Sequence, residues 1–75
     1  MKLVWDEIKR QANVSKHGMD FADLEMDFFY AATLLPARGK RFMAIGNIRD
    51  RLEILLWRPS DGVFCASGLR RPKHS

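Results

Sequence analysis

Residues 20–46 read DFADLEMDFFYAATLLPARGKRFMAIG, and the fold turns on a change of rhythm inside them. Up to Phe29 the apolar residues keep a helical beat: Phe21, Leu24 and Phe28 recur at intervals of three and four, with Met26 and Phe29 widening the stripe. Asp20 is a natural N-cap, and Asp23 stands where a capping-box partner would sit. The spacing predicts a helix over 20–29 whose stripe is core. From Tyr30 the helical beat ends. Ala31 to Leu35 is a candidate strand. Pro36-Ala37-Arg38-Gly39 is a turn, with Gly39 free to take positive φ. Arg41 to Gly46 is a second strand, with Phe42 and Ala44 on one face.

Upstream, Asp6 to His17 reads as another helix. Trp5, Ile8 and Ala12 fall near one face, and Glu7, Lys9, Arg10 and Gln11 cover the other. Asp6 suits the helix start, Lys16 and His17 suit the last turn, and Gly18 supplies the left-handed residue that ends it. Downstream, Arg51 to Trp57 alternates, which predicts a strand with Leu52, Ile54 and Leu56 inward and Arg51 and Glu53 outward. Pro59-Ser60-Asp61-Gly62 is a turn. Val63 to Ser67 is the fourth strand, and residues 68–75 are a basic tail. Connections this short favour an antiparallel meander. The fold class expected is α+β: two N-terminal helices across one face of a four-stranded antiparallel sheet, in a single domain of residues 1–75. The other sheet face would carry Met43, Ile45, Leu55, Trp57 and Val63, a candidate binding surface.

A domain of 75 residues buries only about 60% of the surface its unfolded chain exposes, so a partner could add much of its stability. No apolar run approaches the roughly 20 residues of a membrane span, and the N-terminus lacks the apolar stretch of a signal peptide. Cys65 is the single cysteine, which excludes an internal disulfide, and with only His17 and His74 beside it no metal site is expected. A soluble chain in a reducing, cytoplasmic setting, needing no cofactor, fits these features. The net charge of +4 is unevenly placed. Residues 1–30 hold four bases and six acids, whereas residues 31–75 hold nine bases and three acids. A basic half suggests an anionic partner, most often nucleic acid, the alternatives being a solvated basic surface or a face for an acidic protein.

Trp5-Asp6-Glu7, Lys9, Asn13 and Lys16-His17-Gly18, at these spacings, resemble the opening signature of the BrnT family. Met19 and Phe21 stand at its following hydrophobic positions. Arg41 to Gly46 and Arg51 to Trp57 are similar to two of the family's strands, and Ser67 to Arg71 falls on its serine- and arginine-containing block. The resemblance spans nearly the whole chain, its first block being the most specific. It implies a RelE-like fold in a bacterial toxin-antitoxin system. The toxin would be a metal-independent endoribonuclease inhibited by a BrnA-like antitoxin. Departures are visible. The loop before Arg41 is reduced to Pro36–Lys40, with Lys40 in place of the family's glutamate, and Gly68 takes its serine position. The chain stops four residues after Arg71, so the family's C-terminal helix is expected to be short or absent. A catalytically weakened or inactive module that binds an antitoxin or nucleic acid is therefore the alternative.

Cleavage without a metal needs the ribose 2′-hydroxyl to attack the neighbouring phosphate while cations stabilise the added charge. Arginine is suited to that task, because its fork donates two hydrogen bonds and keeps its charge. Arg41, Arg58, Arg70 and Arg71 are the candidate catalytic residues, and Lys40, Trp57 and Lys73 the candidate RNA contacts, with Trp57 stacking a base. Four of them have a plainer reading: Arg70 and Arg71 as a solvated tail, Arg41 as a charged strand edge, Trp57 as the cover of a half-buried sheet. His17 has a complete explanation as a helix end, His74 sits in the tail, and Cys65 reads as a small packed side chain. A third reading is a structural remnant whose exposed sheet face only mediates self-association into a homo-oligomer.

Overall fold

The computed structural model describes residues 2–72. Its elements in chain order are β1 (Lys2–Trp5), α1 (Glu7–His17), a 3-10 turn (Phe21–Asp23), α2 (Met26–Ala31), β2 (Thr33–Pro36), β3 (Phe42–Ile48), β4 (Arg51–Ser60) and β5 (Val63–Arg70). The sheet has five strands in the order β1-β5-β4-β3-β2, antiparallel throughout except that β1 runs parallel to β5. The chain starts at one sheet edge, crosses one face through its helices, and returns by a meander from the opposite edge. The expected four-stranded antiparallel sheet is thus one strand short. The missing strand is the four residues Lys2–Trp5, whose partner lies at the other end of the sequence: Lys2 pairs with Val63 and Trp5 with Ala66. A segment so short carries no periodicity of its own, and only β5 makes it a strand.

The first helix forms for the reasons its sequence suggests. Asp6 accepts from the Ile8 and Lys9 N–H groups at 2.8 and 3.3 Å. Gly18 closes the helix at φ 70°, its N–H donating to the Val14 carbonyl. Its orientation differs from expectation. Ile8 is 79% exposed, and the residue α1 buries against β5 is Asn13. Asn13 donates from Nδ2 to the Met19 and Leu69 carbonyls, both at 2.9 Å, and accepts from the Leu69 N–H at 3.0 Å. Arg10 joins Glu7 at 2.6 Å and Asp20 at 2.8 Å, tying α1 to the 3-10 turn. That guanidinium, together with Gln11, holds the Glu7 carboxyl down to about 2.

The second predicted helix is broken. Asp20 caps the 3-10 turn by accepting from the Ala22 N–H, Leu24 and Glu25 are extended, and α2 begins only at Met26. Aspartates favour caps over helix interiors, and the break lets two phenylalanines bury in different places. Phe21 lies 6.2 Å from the Trp5 ring, while Phe28 sits over β3. There a Cβ on Gly46 would stand 3.1 Å from the Phe28 ring, so glycine is what admits α2.

Strand β4 has its faces reversed from expectation. Leu55 and Trp57 point into the core beneath the helices with Ala44, Ala66 and Leu69, and Glu53 is buried on the same side. Leu52, Ile54 and Leu56 alternate onto the uncovered face. Both sets are apolar, so alternation alone does not say which is inward. The pairing of Leu55 with Ala44 and Leu69 decides it. Trp57 is 6% exposed and packs against Phe29, Phe42 and Phe64, with ring centroids at 6.1, 5.3 and 4.4 Å. It is a core residue and has no face left for a base.

The two hairpins around β4 use the same geometry with different sequences. Asp61-Gly62 has φ of 48° and 79°, the two-residue turn that matches strand twist and prefers Asp-Gly. Arg49-Asp50 adopts 51° and 65° without a glycine. Left-handed backbone costs an ordinary residue roughly 1–2 kcal/mol, aspartate somewhat less, and glycine gives part of the gain back as unfolded-state entropy. Asp50→Gly is expected to stabilise the chain by about 0.5 kcal/mol net, read as a raised urea midpoint; a lowered midpoint would show that the Asp50 side chain matters more than its backbone.

Strand β5 runs to Arg70, three residues beyond the expected end, and so takes in residues assigned to the tail. Its register slips once: Leu56 pairs with Gly68 but Trp57 with Ala66, leaving Ser67 as the extra residue of a bulge. The bulge swaps the faces of everything after it. Leu69 goes to the core and Arg70 to the uncovered face, and Arg71 continues the alternation on the helix side. No helix among the described residues is long and apolar enough to cross a membrane.

Candidate nucleic-acid interface

The uncovered sheet face has a basic end and an apolar centre. Arg58 pairs with Cys65, and Cys65 with Val4, while Arg41 directly precedes Phe42, the partner of Trp57. These residues lie in one row across the sheet. With Lys9 from the first half of α1, Asp6, Gly39 and Ser67, they line a groove. Three cations from three separate segments therefore converge: Lys9, Arg41 and Arg58. The Asp6 carboxylate accepts the N-cap hydrogen bonds of α1, and the Arg41 Nε donates to the Arg38 carbonyl at 3.0 Å. Cys65, a free thiol, is half-buried in the groove floor. Along the same face come the apolar residues Met43 and Leu56, then Ile45 and Ile54, and beside Ile54 stands Arg70. At about 3.3 Å per residue, the four residues from Arg58 to Ile54 put Arg70 roughly 13 Å from the groove.

Of the residues singled out from sequence, the structure brings Arg41 and Arg58 together and places Arg70 on the same face. Lys40 is exposed in the β2–β3 loop, at φ 59°, beside the groove. Trp57 is in the core, as described above. His17 ends α1 at the opposite end from the groove. Lys73 and His74 lie outside the described residues.

Arg71, the residue after Arg70 in the alternation, falls on the opposite side from the others. It lines a hollow of about 320 Å³ on the helix side, with Gly18, Met19, Asp20, Asp23, Ile48, Arg49, Arg51, Glu53 and Leu69. Glu53 is 6% exposed and accepts no hydrogen bond among the described residues. Burial raises its carboxyl above the ordinary value, Asp23 adds to that, and Arg71, Arg51 and Arg49 pull against it. Asp23 itself faces Arg49 at 3.8 Å. Sequence reasoning missed Glu53 because it expected residues 51 and 53 to face solvent. Its signal, an acid flanked by Leu52 and Ile54, becomes legible only once the strand's register is known.

Among solved structures, the chain is similar to the Brucella abortus ribonuclease toxin BrnT, known from a crystal structure at 1.1 Å, with a TM-score of 0.92 and 37% sequence identity over 99% of this chain and 99% of that one. No family model matches the chain, and neither does any curated protein.

Proposed function

The chain belongs to the BrnT family, and from that premise we propose that it is a ribonuclease toxin whose substrate RNA lies across the uncovered sheet face. The observation that supports the reading is the convergence of Lys9, Arg41 and Arg58 in one groove at the end of that face. A single strand of RNA would set a phosphate in the groove, run its bases over Met43, Leu56, Ile45 and Ile54, and reach Arg70 at the far end. In the groove the ribose 2′-hydroxyl attacks the adjacent phosphorus, the P–O5′ bond breaks, and a 2′,3′-cyclic phosphate and a 5′-hydroxyl end result. Arg41 and Arg58 stabilise the charge that builds on the phosphate oxygens. This transesterification needs no metal. The sheet face also suits an antitoxin: an acidic segment of a BrnA-like partner would cover the same cations and block RNA by occupying its place.

The test is cleavage of RNA by the purified chain in EDTA, beside Arg41→Ala/Arg58→Ala. Hydrogen bonds to a charged group contribute about 1.5–3 kcal/mol each, so each arginine removed should slow cleavage roughly tenfold to a hundredfold. Equal cleavage by the folded double variant would remove the groove from the mechanism. A second reading has its own observation. The one carboxylate in the groove, Asp6, already caps α1, so the groove holds no uncommitted carboxylate to serve as a base. No cleavage by folded wild type, with salt-sensitive RNA binding retained, would select a binding module.

A further inference from the structure

The hollow around Glu53 lies on the opposite side of the sheet from the groove and plays no part in the chemistry above. Its volume of about 320 Å³ falls at the lower end of the range for small-molecule pockets, roughly 300–1,000 Å³. Its walls include the apolar Leu69, Met19 and Ile48, and Glu53, a residue only 6% exposed, lines it with its carboxylate accepting no hydrogen bond from the other described residues. Arg71, Arg51 and Arg49 line it as well. Asp20 is already committed to Arg10 at 2.8 Å, which leaves Glu53 and Asp23 as the acids facing these three arginines. A simple cation would meet the arginines, and a simple anion would meet the buried carboxylate. The complementary ligand presents hydrogen-bond donors on one part and negative charge on another.

We propose that this hollow is a nucleobase subsite that takes guanine, with Glu53 accepting from the base and Arg71 and its neighbouring arginines holding the attached phosphate. The inference rests on the ribonuclease reading and names the base its substrate would carry. An ionised carboxylate is acceptor-only. Guanine alone among the four RNA bases presents two adjacent donors on its Watson–Crick edge, N1–H and the 2-amino group, which match the two oxygens of one carboxylate. Adenine sets an acceptor at N1 beside its amino group, cytosine sets one at N3, and uracil places its one N–H between two carbonyls. Bases of single-stranded RNA are commonly splayed out and read on this edge. The path to the hollow is short. Arg70 on the sheet face and Arg71 at the hollow are consecutive residues, so a strand arriving over Arg70 has only to round the end of β5 to insert its next base beside Glu53.

The test is binding of guanosine, inosine and adenosine 3′-monophosphates to the full chain, followed by calorimetry and by amide shifts in the NMR spectrum. Guanosine 3′-monophosphate should bind at least tenfold more tightly than the adenosine compound, with the inosine compound, which keeps N1–H and lacks the amino group, between them. The shifts should centre on Glu53, Asp23 and Arg71. Glu53→Gln, which removes one acceptor and a buried charge, should bring guanosine and adenosine compounds within twofold of each other. Arg71→Ala should weaken all three equally. Equal affinities for the three nucleotides in the wild type, or guanine selectivity whose shifts centre on Arg41 and Arg58, would overturn the assignment. The two readings fail separately: RNA cleavage without guanine selectivity sinks the subsite alone, and guanine selectivity at Glu53 without cleavage sinks the nuclease alone.

Discussion

Trp57→Ala is expected to cost about 3–5 kcal/mol, the range for removing a large aromatic side chain from a core. A 75-residue domain at roughly 0.05–0.15 kcal/mol per residue has about 4–11 kcal/mol in total. The substitution should therefore leave the chain largely unfolded or close to it, read as a collapse of the urea midpoint. The cause is the position of the ring, enclosed by Phe29, Phe42 and Phe64 where α2, β3 and β5 meet. Trp57→Phe separates this account from base stacking. The Trp57 Nε1 is buried without a hydrogen-bond partner among the described residues, a burden of about 1–3 kcal/mol that phenylalanine removes while losing some contact area. The phenylalanine variant should fold with a much smaller loss than alanine and bind RNA as the wild type does. A well-folded Trp57→Phe that loses RNA affinity would instead put the ring in contact with bases.

That one residue shows where sequence reading ends. The helix-then-strand order, the caps at Asp6 and Gly18 and the Asp61-Gly62 hairpin are local chemistry, set within a few residues, and they were legible. The faces of β4 were not, because Leu52-Glu53-Ile54-Leu55-Leu56-Trp57 offers two apolar sets and only pairing with Ala44 and Leu69 chooses between them. The parallel strand β1 arises from pairing between the two ends of the chain and the bulge at Ser67 from a slip in the β4–β5 pairing, and neither leaves a periodic trace. The candidate site shares this limit. Arg41 and Arg70 are candidates by residue type and family likeness and Arg58 by residue type and position, and their common face emerges only with the register. Arg71 is grouped with Arg70 because they adjoin, but strand alternation sends neighbours to opposite sides, and the bulge at Ser67 decides that Arg70 takes the uncovered face. Glu53 was hidden by the same reversal that misplaced Trp57.

The residues that carry the family resemblance most specifically prove to be architectural. Trp5 ends β1 against Phe21, Asp6 caps α1, Glu7 grips Arg10, and Gly18 closes the helix. None of these needs RNA for its explanation. Such a signature marks the fold that presents the basic face, and the groove's cations come from outside it except for Lys9.

Asn13 is the member of that signature on which the most depends. It is 8% exposed, and it satisfies both the N–H and the carbonyl of Leu69 along with the carbonyl of Met19. Asn13→Ala removes three hydrogen bonds and leaves buried backbone groups unpaired. At about 1 kcal/mol for each bond, with further cost for groups left unsatisfied, the loss should be about 3–4 kcal/mol. Asn13→Asp should do no better. It keeps the acceptor for the Leu69 N–H but turns a carboxylate toward two carbonyls, with no donor to offer them. Urea denaturation measures the loss, and amide exchange locates it: Leu69 should lose protection before the centre of β4 does. A destabilisation under about 1 kcal/mol with Leu69 still protected would mean that water takes over the role of the side chain. The consequence reaches function through one strand, since Leu69 is flanked by Gly68 and Arg70, and Arg71 follows. Loosening its clamp frees the segment that aims Arg70 across the sheet face and Arg71 into the Glu53 hollow. At temperatures where Asn13→Ala is still folded, RNA affinity should therefore fall, with the Arg41 and Arg58 groove untouched.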